Sequence, residues 1–237
     1  MEIWWIILII VGVVIVLSLL LSIASFSSEK FMEIYNEHSN LYSKDLNILD
    51  FIHNLNHLKF NGKIKIAQVD RDVDNFYVSK TKTVALSKKT LSSNSLASFA
   101  IVAHEMGHAL QDAEGNKLKT LNALRRLGSL IGFLFLPALI AGTVLLFFPN
   151  LFSISITLFC IAGGILFLAI LIKSITISIE KDASEKGLSF LKEILTSQDV
   201  ASCKKLLDAA RLTYWGDLFR LLFSWTFLTR KTKMFRN

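Results

Sequence analysis

The stretch Val102-Ala-His104-Glu105-Met-Gly-His108-Ala-Leu110 places an H-E-x-x-H pattern in an apolar setting. Residues four apart lie on one face of an α-helix, so the two imidazoles can give two nitrogen ligands to one metal ion. The glutamate between them can act as a base toward a water that the metal activates. The pattern predicts the core of a zinc hydrolase. The alternative is an ordinary core helix with two buried, hydrogen-bonded histidines.

Helix and strand signals surround this motif. Ser92-Ser-Asn-Ser95 offers N-cap residues, and apolar side chains then repeat at helical spacing until Gly115 and Asn116 end the segment. Upstream, alternating residues in 64–69 and 84–86 predict two short β-strands. We expect the strand at 83–87 to form a sheet edge beside the motif helix, where an extended substrate can add as a further strand.

Two other groups of polar residues resemble metal sites and are rejected. His53 and His57 stand four apart on a predicted helix, but no acid is placed to act as a base, so we expect a solvated or core-edge pair. Asp70, Asp72 and Asp74 imitate the start of a calcium loop, but the turn glycine and the bidentate glutamate of such a loop are missing. We expect a solvated acidic loop there.

The composition is that of a membrane protein. Of the 237 residues 52% are hydrophobic, and the mean hydropathy of +0.49 is too high for an ordinary soluble domain. The formal net charge of +7 comes from scattered Lys and Arg with no basic aromatic platform, so nucleic acid is not an expected partner. Cys160 and Cys203 alone cannot form a disulfide framework or a cysteine-rich zinc site.

Three apolar runs reach the length of about 20 residues that a helix needs to cross a bilayer. The first covers residues 3–24, with Trp4 and Trp5 where an interfacial aromatic belt lies. A cleaved signal peptide is the alternative, but the run is long and Glu2 replaces the usual basic residue, so we expect an uncleaved anchor. The other two runs, 130–148 and 151–172, are separated by Pro149-Asn150 and predict a transmembrane hairpin.

Charge asymmetry predicts the orientation of these spans. Basic residues flank the outer ends of the hairpin: Lys117, Lys119, Arg125 and Arg126 before it, and Lys173, Lys181 and Lys186 after it. The positive-inside rule then places both ends in the cytoplasm and the turn outside, with the anchor running inward from an exterior N-terminus. The apolar run 212–228 is interrupted by Asp217 and Arg220. We expect it to lie at the interface, because a crossing would put its basic tail outside; a further span is the alternative.

A catalytic zinc usually has three protein ligands and one open position. The extended pattern H-E-x-x-H-x-x-G-x-x-H is excluded, because Gln111 stands at its glycine and Glu114 at its last histidine. Thermolysin-like sites instead take a glutamate from a second helix. We therefore searched for an acid on a helical face of small residues, where two helices can approach closely.

Glu180 meets this condition, because small residues at 183, 184 and 187 follow it on the same helical face. Asp182 lies about 200° round the helix and cannot be a ligand from that face. The hairpin between His108 and Glu180 crosses the membrane twice, so it returns the chain to the same side. The alternative for Glu180 is a solvated acid just beyond a membrane span.

Several short motifs occur in a characteristic order: VALS at 84–87, HEMGHALQ at 104–111, the two-span insert, EKDAS at 180–184 and AARLTY at 209–214. Together they resemble the YugP-like bacterial membrane zinc metallopeptidases, also called neutral zinc metallopeptidase family 2, over about residues 60–220. The resemblance implies zinc ligands at His104, His108 and Glu180, and a catalytic acid/base at Glu105. Related membrane gluzincins carry E-x-x-A-D as the second motif.

In that wider group an aspartate stands where this chain has Ser184. A serine at this position weakens any role that the aspartate has behind the zinc ligands. Asp182 and Ser184 are the candidates for residues that lie behind the ligands.

The predicted fold class is a mainly α integral membrane protein with a gluzincin-like core of helices and a small β-sheet. Residues 1–25 form the anchor, 26–128 the cytoplasmic part with the H-E-x-x-H helix, 129–173 the hairpin, 174–211 the helices with the third ligand, and 212–237 a membrane-associated segment with a basic tail. A transmembrane hairpin thus separates the metal-ligand helices.

The predicted function is that of a zinc-dependent endopeptidase (Zn2+) at the cytoplasmic face of the plasma membrane, with a protein or peptide as substrate and the lipid bilayer as partner. The alternative is a catalytically silent scaffold or quality-control binding protein that retains the fold. A channel or transporter is disfavoured, because the spans hold no ionisable residue that could line a path.

Overall fold

The computed structural model describes residues 3–43, 46–70 and 75–222, and most of them are helical. The helices are α1 (Ile3–Ser39), α2 (Ile48–Phe60), α3 (Lys88–Leu91), α4 (Leu96–Glu114), α5 (Lys117–Leu145), α6 (Phe152–Leu191) and α7 (Ser197–Leu222). The strands are β1 (Lys65–Val69), β2 (Phe76–Val78) and β3 (Thr83–Ser87). The fold is therefore mainly α with a small sheet, as predicted.

The chain divides into two compact units. The hairpin unit comprises the described residues of Met1–Ser28, Asn122–Thr176 and Thr213–Asn237. The motif unit comprises those of Glu29–Leu121 and Ile177–Leu212. His104, His108 and Glu180 all belong to the motif unit, so the candidate site is built within one compact body.

Three described helices are long and apolar enough to cross a membrane, over Trp4–Ser39, Lys117–Leu145 and Pro149–Leu191. They contain most of each of the three apolar runs found in the sequence. A 3-10 turn at Pro149–Leu151 joins α5 to α6, where the sequence predicts the tip of a hairpin. In the hairpin unit, Phe135 and Leu139 of α5 form one apolar cluster with Ala162 and Ala169 of α6.

Helix α7 extends further than predicted. The sequence indicates a helix from Ser197 to Arg211 followed by a separate apolar segment, whereas α7 continues without a break to Leu222. Leu218 and Leu222 are buried in the apolar cluster of the hairpin unit. The remainder of the predicted interfacial segment and its basic tail, residues 223–237, lie outside the described residues.

The sheet has the order β1-β3-β2. Strand β1 pairs with β3 in parallel, with Lys65 opposite Thr83, and β2 pairs with β3 in antiparallel register, with Tyr77 opposite Val84. The expectation that 83–87 forms a sheet edge is therefore wrong. Residues 84–87 are all buried, as in a strand that has a neighbour on each side, and the neighbour on one side is the three-residue β2.

Helix α4 is the central element of the motif unit. Its N-cap is Ser95, whose side chain accepts a hydrogen bond from the backbone N–H of Ser98, and its end lies at Gly115, both as predicted. Its side chains are buried on nearly every face; Phe99, Val102, Ala103 and Met106 are completely buried. A helix enclosed in this way holds its side chains in fixed directions.

Candidate metal centre

Helix α4 presents His104 and His108 one turn apart on the same face. The two imidazole rings lie 4.7 Å apart between centroids and are inclined at 78°. The His108 side chain is 8% exposed and that of His104 is 14% exposed, so both imidazoles are largely shielded from solvent. The spacing of four residues thus places two imidazoles at one point, as the sequence predicts.

Helix α6 approaches this face of α4 closely enough for backbone contact. A β-carbon at Gly107 would overlap the carbonyl of Ala183, and one at Gly187 would lie 2.6 Å from the Ala103 carbonyl oxygen. Because Gly107 and Gly187 have no side chain, the two helices can touch along a line of small residues. The predicted small-residue face of α6 is the face that packs on the histidine helix.

This close approach brings Glu180 to the two histidines. Its Oε2 atom lies 3.4 Å from His104 Nε2 and 3.2 Å from His108 Nε2, and its side chain is 2% exposed. Among the described residues, these three form the one group of His, Cys, Asp and Glu side chains whose ligand atoms converge within 4.8 Å. The sequence-predicted ligands are therefore brought together.

The other ring nitrogen of each histidine bonds to an oxygen atom. His104 Nδ1 lies 3.0 Å from Ser184 Oγ, and His108 Nδ1 lies 2.9 Å from Gln111 Oε1. The Ser184 hydroxyl donates to the Glu180 carbonyl oxygen, so Ser184 Oγ accepts from His104. With hydrogen on both Nδ1 atoms, the two neutral rings turn their Nε2 lone pairs toward the carboxylate.

These facing atoms fit a zinc ion. Two imidazole nitrogens and one carboxylate oxygen are donors that zinc binds in catalytic sites, and all three are hydrogen-bond acceptors when the histidines are neutral. Buried acceptors that face each other need a cation or a proton between them. His104, His108 and Glu180 are thus the residues that could hold the metal.

The shifted pKa values of His108 and Glu180 also indicate that the site favours a positive charge. Burial opposes the charged form of His108, but the hydrogen bond to Glu180 and the charges of Glu105 and Glu180 outweigh it and raise the pKa of His108. Burial likewise disfavours the Glu180 carboxylate, but hydrogen bonds from the two histidines, which form when a proton sits on Nε2, hold the pKa of Glu180 well below its usual range. A proton therefore satisfies the site where no metal is bound.

Glu105 is the remaining member of the motif. It is buried, with 7% of its surface exposed, and its carboxylate makes no hydrogen bond to another described residue. The negative charge of Glu105 helps to raise the pKa of His108, so the two side chains are near enough to interact electrostatically. A carboxylate in this position is available to accept a proton from a water molecule.

Asp182 lies away from the ligand group, as the sequence predicts. Its Oδ2 accepts a hydrogen bond of 2.8 Å from Gln111 Nε2, and its Oδ1 accepts one of 2.7 Å from Lys117 Nζ. Asp182 therefore touches the site only through Gln111. The sequence analysis missed Gln111, although its position three residues after His108 on one helix face is the signal that could have identified it.

A second polar group beside α4 was also missed. Asp112 accepts hydrogen bonds from the Tyr77 hydroxyl, the Ser79 hydroxyl and Lys82 Nζ, at 2.8, 2.7 and 2.6 Å. These three donors come from β2 and the turn that follows it, so Asp112 ties the edge of the sheet to the motif helix. The Tyr77 hydroxyl is thereby engaged by Asp112.

The second histidine pair, His53 and His57, forms no metal-binding group with other described residues. His53 and His57 are both exposed on α2, as expected of a solvated pair. For the acidic loop, residues 71–74 lie outside the described part of the chain.

A comparison with protein families supports the geometry. The family model described as "Putative neutral zinc metallopeptidase" matches residues 5–224 of the chain, which confirms the resemblance indicated by the short motifs. No curated protein and no solved structure matches the chain.

Proposed function

The chain belongs to the family of putative neutral zinc metallopeptidases, and on that premise we propose that it is a membrane-anchored, zinc-dependent endopeptidase of the gluzincin type. One observation carries the proposal. Two imidazole nitrogens and a carboxylate oxygen, all from buried or nearly buried side chains, converge within 4.8 Å on a family-matched H-E-x-x-H helix. Such a donor set leaves one coordination position for water or substrate.

The ligands and the base divide the chemistry between them. His104, His108 and Glu180 would hold the zinc, which would polarise the scissile carbonyl and lower the pKa of its bound water. Glu105 takes a proton from the attacking water and passes it to the leaving amine. Ser184 holds the His104 ring by accepting from Nδ1, so that Nε2 keeps its lone pair for the metal.

The proposed location is the cytoplasmic face of the plasma membrane. Helix α1 supplies an anchor, and α5 and α6 supply a hairpin whose apolar stretches cross the bilayer twice. The basic residues that flank both outer ends of the hairpin favour a cytoplasmic position for them. Protein or peptide segments in the cytoplasm or next to the membrane are then the substrates.

Strand β2 is the proposed support for an extended substrate. It is an edge strand of the described sheet, and the hydrogen bond from its Tyr77 to Asp112 ties it to the helix that carries His104 and His108. A peptide in extended conformation can add to such an edge through backbone hydrogen bonds. The substrate-binding edge expected at 83–87 is thus proposed for β2 instead, because 83–87 is the central strand.

Cleavage of an unfolded protein by the purified full-length chain in detergent tests the proposal. We expect cleavage that a zinc chelator stops and added zinc restores. Glu105→Gln should bind zinc with the wild-type stoichiometry but lose cleavage by about 100-fold or more, because the general base is gone.

Glu185→Gln is the matched control, because it removes an exposed acid from α6 whose one ion pair among the described residues is with Lys181. It should cleave like the wild type. Unchanged cleavage by Glu105→Gln, or zinc-loaded wild-type protein that cleaves nothing, contradicts the proposed function; the second result points to a silent scaffold.

A further inference from the structure

Gln111 is one of the most completely buried polar residues of the motif unit, at 1% exposure. It lies three residues after His108 on α4, on the side that faces α6. Its amide group makes three hydrogen bonds: Oε1 with His108 Nδ1, and Nε2 with both the Ile179 carbonyl and Asp182 Oδ2. The amide therefore connects the second histidine of the motif directly to the opposite helix.

The surroundings of this amide allow only one orientation. Its Nε2 faces a carbonyl oxygen and a carboxylate oxygen, each at 2.8 Å, and neither oxygen can donate a hydrogen bond. A flipped amide would place the Gln111 Oε1 atom against both of these oxygen atoms. The NH2 group is therefore fixed on the α6 side, and Oε1 is fixed toward His108.

A fixed Oε1 determines the state of His108. Because Oε1 can only accept, Nδ1 of His108 must carry a hydrogen atom. The Nε2 atom of the neutral ring then holds the lone pair, and it is this atom that lies 3.2 Å from Glu180 Oε2. Hydrogen bonds therefore connect Asp182 and the backbone of α6, through Gln111, to His108, and they fix which nitrogen of His108 faces the metal position.

Asp182 is itself held in place. Its second oxygen accepts a hydrogen bond of 2.7 Å from Lys117 Nζ, which leaves Oδ2 directed to Gln111. Asp182 lies on the wrong face of α6 to be a zinc ligand, but it is part of the same chain of hydrogen bonds. This chain runs from Lys117 through Asp182 and Gln111 to His108.

We propose that Gln111 is a positioning residue that fixes the tautomer and ring orientation of His108, and thereby the affinity of the centre for zinc. The proposal rests on the proposed function, since His108 is a ligand only if the centre binds zinc. It does not require that the protein cleaves peptides. Gln111 touches neither the metal position nor a substrate, so it acts only through the histidine.

Zinc affinity, measured by competition with a chelator, tests this role in the full-length chain. Gln111→Met keeps the length of the side chain and removes all three hydrogen bonds. We expect zinc affinity to fall about 10- to 100-fold, as when partners that orient metal ligands are removed. The absorption bands of the cobalt-substituted variant should also shift, because the His108 ring is free to turn.

Glu114→Gln is the matched control. It removes the 2.6 Å ion pair between Glu114 and Lys186, which also joins the end of α4 to α6 but touches neither histidine. Because this pair is partly exposed, zinc affinity should stay within about twofold of the wild type. An equal loss of zinc affinity in both variants would show that the tie between the helices is what matters, and would overturn the proposal.

A second pair of variants tests the donor and acceptor directions in this chain of hydrogen bonds, even if Gln111→Met fails to fold. Gln111→Glu places a carboxylate against Asp182, so zinc affinity should fall. Adding Asp182→Asn supplies an amide that can donate to that carboxylate, so zinc affinity should recover in part. No recovery, or wild-type zinc affinity and cobalt bands in Gln111→Met, overturns the proposal.

The outcomes also separate this inference from the proposed function. Wild-type protein that binds zinc but cleaves nothing contradicts the peptidase function and leaves the zinc-affinity comparison intact. Wild-type protein that binds no zinc contradicts both.

Discussion

The backbone of Gly107 lies directly against the carbonyl of Ala183, so that a β-carbon at position 107 would overlap that carbonyl. Gly107 immediately precedes His108, and Ala183 lies one turn after Glu180. The contact therefore sets the distance between two of the three proposed zinc ligands. The glycine inside the H-E-x-x-H pattern is explained by this approach of α6 and not by any conformational requirement of α4.

Gly107→Ala should separate α4 from α6 and disrupt the metal centre. The added methyl meets backbone atoms that cannot turn aside, so we expect a loss of about 3 kcal/mol in unfolding free energy and a loss of zinc binding. Gly163→Ala is the control, because a β-carbon there meets nothing within 4 Å. Thermal unfolding and zinc content check this; wild-type zinc content in Gly107→Ala would contradict the role of the contact.

Ser184→Ala should weaken zinc binding without unfolding the protein. It removes the oxygen that accepts from His104 Nδ1, so the ring loses its fixed orientation and zinc affinity should fall about tenfold. Ser189→Ala removes a similar hydroxyl, which donates to the backbone carbonyl of Lys186 within α6, and should have no effect on zinc affinity. Chelator competition measures both; equal affinities in the two variants would show that Ser184 does not support His104.

Asp112 should make the stability of the protein depend on pH. Burial alone would raise the pKa of Asp112, but hydrogen bonds from Lys82, Ser79 and Tyr77 outweigh it and hold the pKa below the usual range. The charged form thus contributes stability above the ordinary carboxyl pKa of about 3.9, and this contribution is lost as the pH falls through the lowered value.

Asp112→Asn should lower the unfolding free energy by about 1 to 3 kcal/mol at pH 7, because three hydrogen bonds lose their charged acceptor. The difference from the wild type should shrink as the pH falls below about 4. Denaturant unfolding of both proteins across this range measures the difference. A difference that stays constant with pH would mean that the carboxylate is not held in its charged form.

Labelling of single cysteines should establish the orientation of the hairpin. In a Cys160→Ala background, Asn150→Cys should react with a membrane-impermeant maleimide in intact cells, because the hairpin turn is proposed to lie outside. Asn54→Cys, at an exposed position of α2, should react only after lysis. Cys203 is buried and should stay unlabelled in both. The reverse pattern would place the metal centre on the outer side.

The ligand group could be predicted from sequence because its determinants are local. A spacing of four aligns His104 with His108 on any helix, and the small residues that follow Glu180 indicate a face on which another helix can lie. Both signals require only helical periodicity. The turn between α5 and α6 was equally accessible, because Pro149 interrupts an otherwise apolar stretch.

The sheet and the supporting residues could not be predicted in the same way. Strand β2 has three residues and no alternating pattern of its own, so nothing showed that β3 has a neighbour on each side. The roles of Gln111 and Asp112 depend on which atoms of α6 and of the β2 hairpin lie opposite α4. Such contacts between distant parts of the chain leave no periodic signal in the sequence.

X-ray absorption by zinc in the purified wild-type protein reports the metal ligands themselves. We expect one zinc per chain, with a spectrum that shows two imidazole nitrogens and carboxylate oxygen at about 2.0 to 2.2 Å. Glu180→Ala should lose the carboxylate contribution and most of the bound metal. A wild-type chain that binds no zinc, or a Glu180→Ala variant with an unchanged spectrum, would contradict the proposed zinc site.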